Sequence, residues 1–140
     1  MKILGFNFTK LSAEKLSNKV SGVKINNNID VADITKVDSD MLNTGGKILG
    51  IKFTNTITYD PNFAKISLGG NALIAVDETV FNEVLKEWEK KNIPDDFRLK
   101  IFNIILKKSS LKALQLEDEL NIPLHMPMPS LKAPGKKEKS

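Results

Sequence analysis

Two neighbouring stretches in the middle of the chain alternate apolar and polar residues with a period of two. Residues 49–59 place most apolar side chains on odd positions, whereas residues 66–76 place them on even positions. This alternation is typical of strands with one buried and one exposed face. Because the turn-forming residues 60–62 lie between the stretches, the pattern predicts a β-hairpin. Gly69 and Gly70, within its second strand, are expected to mark a β-bulge or a close approach of two backbones.

Two further strands are expected before this hairpin. Residues 2–10 have apolar side chains on even positions, but residues 12–21 are polar and irregular, so the first strand is expected to end near Lys10. Residues 23–37 begin with apolar side chains on odd positions and change phase at Ile34. A change of phase predicts a strand that bends or contains a bulge.

Helical patterns follow the hairpin. After Asp77, which is suited to cap a helix N-terminus, apolar residues recur at spacings of three and four up to Trp88. This first helix is expected to run to about Lys91. A second helix is expected to open at Pro94, and it is apolar around most of its circumference. Such a helix has to bury two faces.

A third, shorter helix is predicted after Ser109 or Ser110, and it is expected to end at Asn121. Apolar residues then alternate with prolines in residues 122–129, which favours an extended path. The whole pattern predicts one α+β domain over residues 1–131, with a four-stranded antiparallel sheet followed by two to three helices.

The net charge of +4 is concentrated at one end of the chain. Residues 132–140 hold four lysines and one glutamate, so they contribute +3 and leave +1 for the other residues. A nearly neutral body with a single arginine, Arg98, lacks the basic cluster that binds phosphates, so nucleic acid is not expected as a partner. The basic tail, residues 132–140, is expected to be disordered.

Motifs for catalysis or metal binding are not recognisable. The chain has no cysteine, which excludes thiolate zinc sites and cysteine nucleophiles. His125 has no second histidine as a partner, so we interpret it as structural or exposed. The acidic clusters at residues 95–96 and 117–119 are attributed to helix ends or solvated faces. We therefore expect a protein that is not an enzyme and uses no cofactor.

The sequence also gives no indication of export. Residues 1–16 lack a small-residue cleavage site, and no stretch approaches the roughly 20 apolar residues that a membrane span needs. A cytoplasmic protein without a membrane span is expected.

Three short stretches resemble the SecB chaperone family. Residues 8–12, with the sequence FTKLS, resemble the YTKDISFE stretch that opens SecB proteins. Residues 24–28, KINNN, resemble the VKLDLD crossover, and residues 120–124, LNIPL, are similar to the ending LNLAPVNF. The order of hairpin, helix and long helix also follows SecB. The chain thus resembles a divergent member of the family.

The resemblance implies an ATP-independent chaperone that holds unfolded polypeptides, a function linked in this family to protein transport. It also implies a homo-oligomer, a dimer or a tetramer. SecB proteins recruit the SecA motor through an acidic sheet face and end in an acidic tail. This chain instead has Lys52 and Lys65 among the threonines of its hairpin and a basic tail. These differences argue against binding of SecA.

Client-binding residues are predicted where apolar side chains are in excess or adaptable, namely the crossing segment, the second helix and the methionines that follow. They are Ile25, Ile29, Val31, Ile34, Val37, Ile101, Ile105, Met126 and Met128. Ordinary core packing is the alternative interpretation for each of them.

The sequence leaves two other functions open. The basic tail could serve a nucleic-acid or ribosome-associated module, which would bind RNA with a steep salt dependence. The chain could also be a small enzyme whose site assembles at a subunit interface. Such an enzyme would show carboxylates with strongly shifted pKa values in a cleft.

Overall fold

The structure, a computed structural model, describes residues 1–18, 22–37 and 47–127. Its elements are β1 (Lys2–Lys15), β2 (Lys24–Val37), β3 (Lys47–Asp60), β4 (Ala64–Val76), α1 (Glu78–Trp88) and α2 (Asp95–Leu120). The predicted α+β fold, with a four-stranded antiparallel sheet followed by helices, is confirmed. Met128 and the basic tail lie outside the described residues.

The sheet has the strand order β1-β4-β3-β2, and every neighbouring pair is antiparallel. The predicted hairpin is confirmed as β3 and β4, which pair from Lys47 with Val76 to Tyr59 with Ala64. β1 and β2 are the two edges of the sheet, so the chain crosses the sheet between them. α2 lies across the sheet and contacts all four strands.

β1 is longer than the sequence pattern predicts. The expectation that the strand ends near Lys10 is wrong, because β1 continues to Lys15. In this added part Ser12 pairs with Ser67 and Lys15 pairs with Ala64. The neighbouring strand β4 supplies a hydrogen-bond ladder to this polar segment. Sheet pairing therefore overrides the weak local pattern, as is common for β-structure.

The predicted irregularity in β2 is confirmed as a register shift against β3 between Val31 and Asp33. Asp33 makes two contacts at this point. Its Oδ1 accepts from the Ile34 backbone N–H at 2.9 Å and from the Trp88 indole N–H at 3.1 Å. The shift in register thus coincides with the contact that attaches the end of α1 to β2.

Gly70 lies where the backbones of β1 and β4 approach closely, as the glycine pair predicts. A Cβ at this position would collide with the backbone carbonyl oxygen of Asn7. The rings of Phe6, Phe8 and Phe53 form a cluster beside it, with centroids between 5.0 and 6.3 Å apart. Gly70 pairs with Phe8 on one side and with Phe53 on the other. The backbone of β1 at Asn7 and Phe8 therefore occupies the place that a side chain at Gly70 would need.

Both helices pack on one face of the sheet, and the core lies between the layers in two clusters. The first cluster joins the sheet to α1 and to the N-terminal half of α2; it includes Leu49, Phe53, Ile74, Phe81, Val84, Phe97, Ile101 and Ile105. The second lies beneath the C-terminal half of α2 and includes Ile57, Tyr59, Phe63, Ile66, Leu68, Ala113 and Ile122. The other face of the sheet carries the lysine and threonines of β3.

The second and third helices predicted from the sequence are one continuous helix, α2, of 26 residues. Ser109 and Ser110 do not cap a new helix but lie buried in its middle. The segment between Asp95 and Leu120 contains neither glycine nor proline, so nothing in the local sequence interrupts it. Packing on a long sheet favours the single helix.

The predicted helix ends are confirmed at two positions. The Asp77 carboxylate accepts from the backbone N–H of Val80 at 2.8 Å and caps α1. Asn121 adopts a left-handed conformation, with φ of 54°, and ends α2. α1 itself ends at Trp88, one turn earlier than predicted. No described helix is long and apolar enough to cross a membrane.

Candidate functional site

An apolar groove lies between α2 and the segment that follows it, residues 122–127, which we call the exit segment. The groove has a volume of about 520 Å³ and a mainly apolar surface. Its lining consists of Asn27, Asn103, Leu106, Lys107, Ser110, Leu111, Leu114, His125 and Met126. We call this feature the α2–exit groove.

Helical spacing brings the lining residues of α2 to one side of the helix. Leu106, Ser110 and Leu114 follow one another at intervals of four and share a face. Leu111 and Met126 add the most accessible apolar surface, since they are 62% and 41% exposed. The groove therefore offers large apolar side chains that the fold leaves in contact with solvent.

A second, smaller depression lies beside the α2–exit groove and shares part of its α2 lining. It has a volume of about 330 Å³ and is lined by Ile3, Asn103, Ile104, Lys107, Lys108 and Leu111. Asn103, Lys107 and Leu111 belong to both depressions and are spaced by four residues along α2. Accessible apolar surface thus continues from the exit segment across α2 to the edge strand β1.

The exit segment is attached to the domain by a buried hydrogen-bonded cluster around Glu117, which is 0% exposed. The Glu117 carboxylate accepts from His125 Nδ1 at 2.8 Å and from the His125 backbone N–H at 3.1 Å. It also lies 2.8 Å from the Tyr59 hydroxyl, which is 2.6 Å from the carbonyl oxygen of Pro123. We call these four residues the Glu117 cluster. It satisfies a buried carboxylate, which would otherwise be costly.

The ring of His125 is oriented by this cluster. An ionised carboxylate only accepts hydrogen bonds, so Nδ1 has to carry a proton. The other ring nitrogen, Nε2, lies 3.3 Å from Oγ of Ser110, which lines the groove. His125 therefore connects the buried cluster to the lining of the α2–exit groove.

The order Ser110, His125, Glu117 has the connectivity of a serine hydrolase relay. Ser110, however, lies inside α2, where backbone N–H groups donate to carbonyls four residues earlier in the helix. Those N–H groups are not free to stabilise an oxyanion. Among the residues that the structure describes, no group of three His, Asp or Glu side chains could hold a metal ion. We interpret the Glu117 cluster as a latch that holds the exit segment.

Burial next to Glu117 raises the pKa of the Tyr59 hydroxyl far above its ordinary value. The largest cause is desolvation by burial, followed by the hydrogen bond to the carboxylate and by its negative charge. Tyrosine is uncharged below its pKa, so Tyr59 is a hydrogen-bond donor at neutral pH.

We expect this shift to be measurable directly, because Tyr59 is the only tyrosine of the chain. Absorbance of tyrosinate should be absent from the folded protein near pH 10, where free tyrosine is half ionised, and should appear on unfolding at the same pH. The raised pKa contributes stability that is complete below about pH 10 and is lost as the pH rises above it. A folded protein that titrates near pH 10 would contradict the described burial of Tyr59.

The nine predicted client-binding residues do not form one site. Met126 lines the α2–exit groove. Ile101 and Ile105 lie in the core beneath α2, at 1% and 0% exposure, so neither can contact a client in the folded chain. Val31 and Ile34 also belong to this core. Core packing is therefore the interpretation that fits these four residues.

The remaining predicted residues are spread along β2. Ile25 is exposed near the start of the strand, and Ile29 is half-buried against the first core cluster. Val37 lines a separate depression on the other face of the sheet, together with Lys52 and Leu73. Met128 is not among the described residues.

The leucines of the groove and the Glu117 cluster are not identified by the sequence analysis. α2 is apolar around most of its circumference, so its rotation on the sheet decides which apolar side chains face outward. The sequence contains one indication that Glu117 is buried and has a partner. It continues the row Ile101, Ile105, Ser109 and Ala113 at intervals of four, and a carboxylate in a buried row needs a partner.

Comparison with known proteins indicates similarity of structure and not of sequence. No family model matches the chain, and no curated protein matches it either. Among solved structures, the chain is similar to the Mycobacterium tuberculosis Rv1957 SecB-like chaperone, determined in complex with a ChAD peptide from the Rv1956 HigA1 antitoxin. The TM-score is 0.51 at 12% sequence identity, covering 95% of this chain and 91% of that chain. The protein thus has a SecB-like fold.

Proposed function

We propose that the protein is a chaperone that holds non-native polypeptide segments in the α2–exit groove without using a nucleotide. The observation that carries this proposal is the groove itself, with the accessible side chains of Leu111 and Met126 in one apolar lining. Contiguous exposed apolar surface marks interaction sites in folded proteins. Methionine, being flexible and polarisable, suits a surface that accepts varied side chains.

The SecB-like fold supports the proposal. The similar solved structure is that of a SecB-like chaperone in complex with a peptide. In this chain, an apolar side chain buried in the groove would contribute roughly 1.5 to 3 kcal/mol before ordering costs are subtracted. Such contacts are weak singly, and a client would need several of them at once.

We propose that the protein assembles as a dimer or tetramer, which would provide several grooves. The outer edge of β1 has no strand partner among the described residues, and its Ile3 and Leu11 side chains are exposed. An exposed strand edge is open to pairing with another chain. Several grooves on one assembly could raise the affinity for a long client by about 100-fold or more.

The more detailed features remain predictions. Recruitment of SecA is not expected, because the outer face of the sheet carries Lys52 and Lys65 and is not uniformly acidic. A cytoplasmic location and the absence of catalysis also remain predictions.

Suppression of aggregation tests the proposal. The protein should prevent aggregation of a chemically unfolded substrate in the absence of nucleotide. Replacing Leu111 and Met126 together by serine should weaken holding by about 10-fold or more, because two apolar contacts are lost. Both side chains are exposed, so the fold should be retained. The matched control is Leu99→Ser, also exposed on α2 but outside the groove lining, and it should hold clients like the parent.

Two results would contradict these proposals. A parent protein that fails to suppress aggregation even at several-fold molar excess rules out the chaperone function. A double variant that holds clients as well as the parent shows that the groove is not the site. Sedimentation of the same samples at micromolar concentration tests assembly, and a single species of 15.6 kDa would exclude the oligomer.

A further inference from the structure

Among the described residues, the charged side chains that line the α2–exit groove and the neighbouring depression are lysines. Lys107 contributes to the groove and to the neighbouring depression, and Lys108 lines that depression as well. Neither lining contains an accessible carboxylate. Glu117, which contacts the lining residue His125, is buried and engaged with His125 and Tyr59.

This positive charge is a property of a longer stretch of α2. Five basic residues and no acidic one occur between positions 98 and 112, namely Arg98, Lys100, Lys107, Lys108 and Lys112. Arg98 is paired with Asp95 at 2.9 Å, whereas the lysines form no ion pair with any residue in the described ranges. The ammonium groups beside the groove are therefore available to a partner.

We infer that the groove selects polypeptide segments whose apolar side chains are flanked by aspartate or glutamate. This inference rests on the proposed function and adds the class of client. The apolar lining would take the central side chains, while Lys107 in the groove and Lys108 in the neighbouring depression would contact the flanking carboxylates. Charge complementarity of this kind selects among partners and speeds their association.

The expected preference is moderate, because both lysines are exposed. A single exposed ion pair changes an affinity by roughly 1.5- to 5-fold, so two pairs should give a preference of roughly 2- to 25-fold. Salt should reduce the preference, since screening shortens the range of the interaction from about 10 Å at 0.1 M to about 3 Å at 1 M.

Three fluorescent peptides with the same apolar centre test the inference. Their flanking residues are glutamate, serine or lysine, and binding to the full chain is measured by anisotropy at low and high salt. The parent should bind the glutamate peptide best and the lysine peptide least. The variant Lys107→Glu with Lys108→Glu should reverse this order. The matched control, Lys52→Glu with Lys65→Glu, changes the same charge on the other face of the sheet and should keep the parental order.

Other outcomes would overturn the inference. Equal binding of the three peptides, or strongest binding of the lysine peptide, excludes selection by these lysines while the chaperone function stands on its aggregation assay. Displacement of the glutamate peptide by a single-stranded RNA oligonucleotide at similar concentration would assign the lysines to a nucleic-acid surface. Absence of binding by all three peptides also overturns the inference, and the aggregation assay then decides separately whether the chaperone function survives.

Discussion

Replacing His125 by alanine is expected to lower the free energy of unfolding by about 2 to 3 kcal/mol, at the upper end of the 1 to 3 kcal/mol typical when a buried polar group loses a hydrogen-bond partner. The side chains of His125 and Glu117 are 5% and 0% exposed, so the substitution leaves a carboxylate in the core without its main partner. The Tyr59 hydroxyl and the backbone N–H at position 125 still donate to Glu117, which limits the loss. Urea unfolding followed by fluorescence of Trp88, the only tryptophan, gives the value.

Two further variants show whether the loss comes from the buried charge. Glu119→Gln removes a carboxylate from an exposed position two residues further along α2, and its effect should stay within about 0.5 kcal/mol. Glu117→Leu combined with His125→Leu removes both partners and should recover at least half of the lost stability, because an apolar pair leaves no charge unpaired. A loss below about 1 kcal/mol for His125→Ala would mean that the latch contributes little.

Gly70→Ala is expected to destabilise the fold by about 2 to 3 kcal/mol, within the usual range for forcing extra volume into a packed interior. The added Cβ meets the backbone carbonyl oxygen of Asn7, and a backbone atom cannot move without displacing its strand. We expect β1 to shift away from β4 and to disturb the contact of Phe8 with Phe53. The change in unfolding free energy and faster hydrogen exchange of β1 amides are the two measurements.

Gly69→Ala is the matched control for this prediction. A Cβ at Gly69 meets Lys10 Cβ and the Phe53 carbonyl oxygen at 3.6 Å, which is ordinary contact. This variant should be neutral or slightly stabilising, because alanine reduces the freedom of the unfolded chain by about 0.4 to 1 kcal/mol. If both variants lost the same stability, the close approach at Gly70 would not be the cause.

Local patterns were sufficient where each residue acts through its immediate neighbours. Alternation in residues 49–59 identified a strand because side chains on a strand point to two faces in turn. Asp77 and Asn121 marked helix ends because caps depend on a few adjacent backbone groups. The glycine pair indicated a close approach, which the structure assigns to Gly70.

Local patterns failed where an element depends on a distant partner. The polar residues 12–15 form a strand only because β4 lies beside them. Ser109 and Ser110 looked like helix caps, but the sheet extends beneath them and the helix continues over it. Without a proline or glycine in this stretch, tertiary packing decides whether there are one or two helices.

The sequence by itself determined the order of four strands before helices, the hairpin, the helix ends at Asp77 and Asn121 and the apolar excess of α2, since all of these follow from local spacing and composition. Only the tertiary structure decided which side of α2 faces outward. In the folded chain Ile101 and Ile105 are buried and Leu111 is accessible. The sequence leaves this choice open, because a helix that is apolar nearly all round can pack on a sheet in more than one rotation. The tertiary structure also brought Tyr59, Glu117 and His125 together, and a contact across 58 residues of sequence exists only once the sheet and α2 have packed.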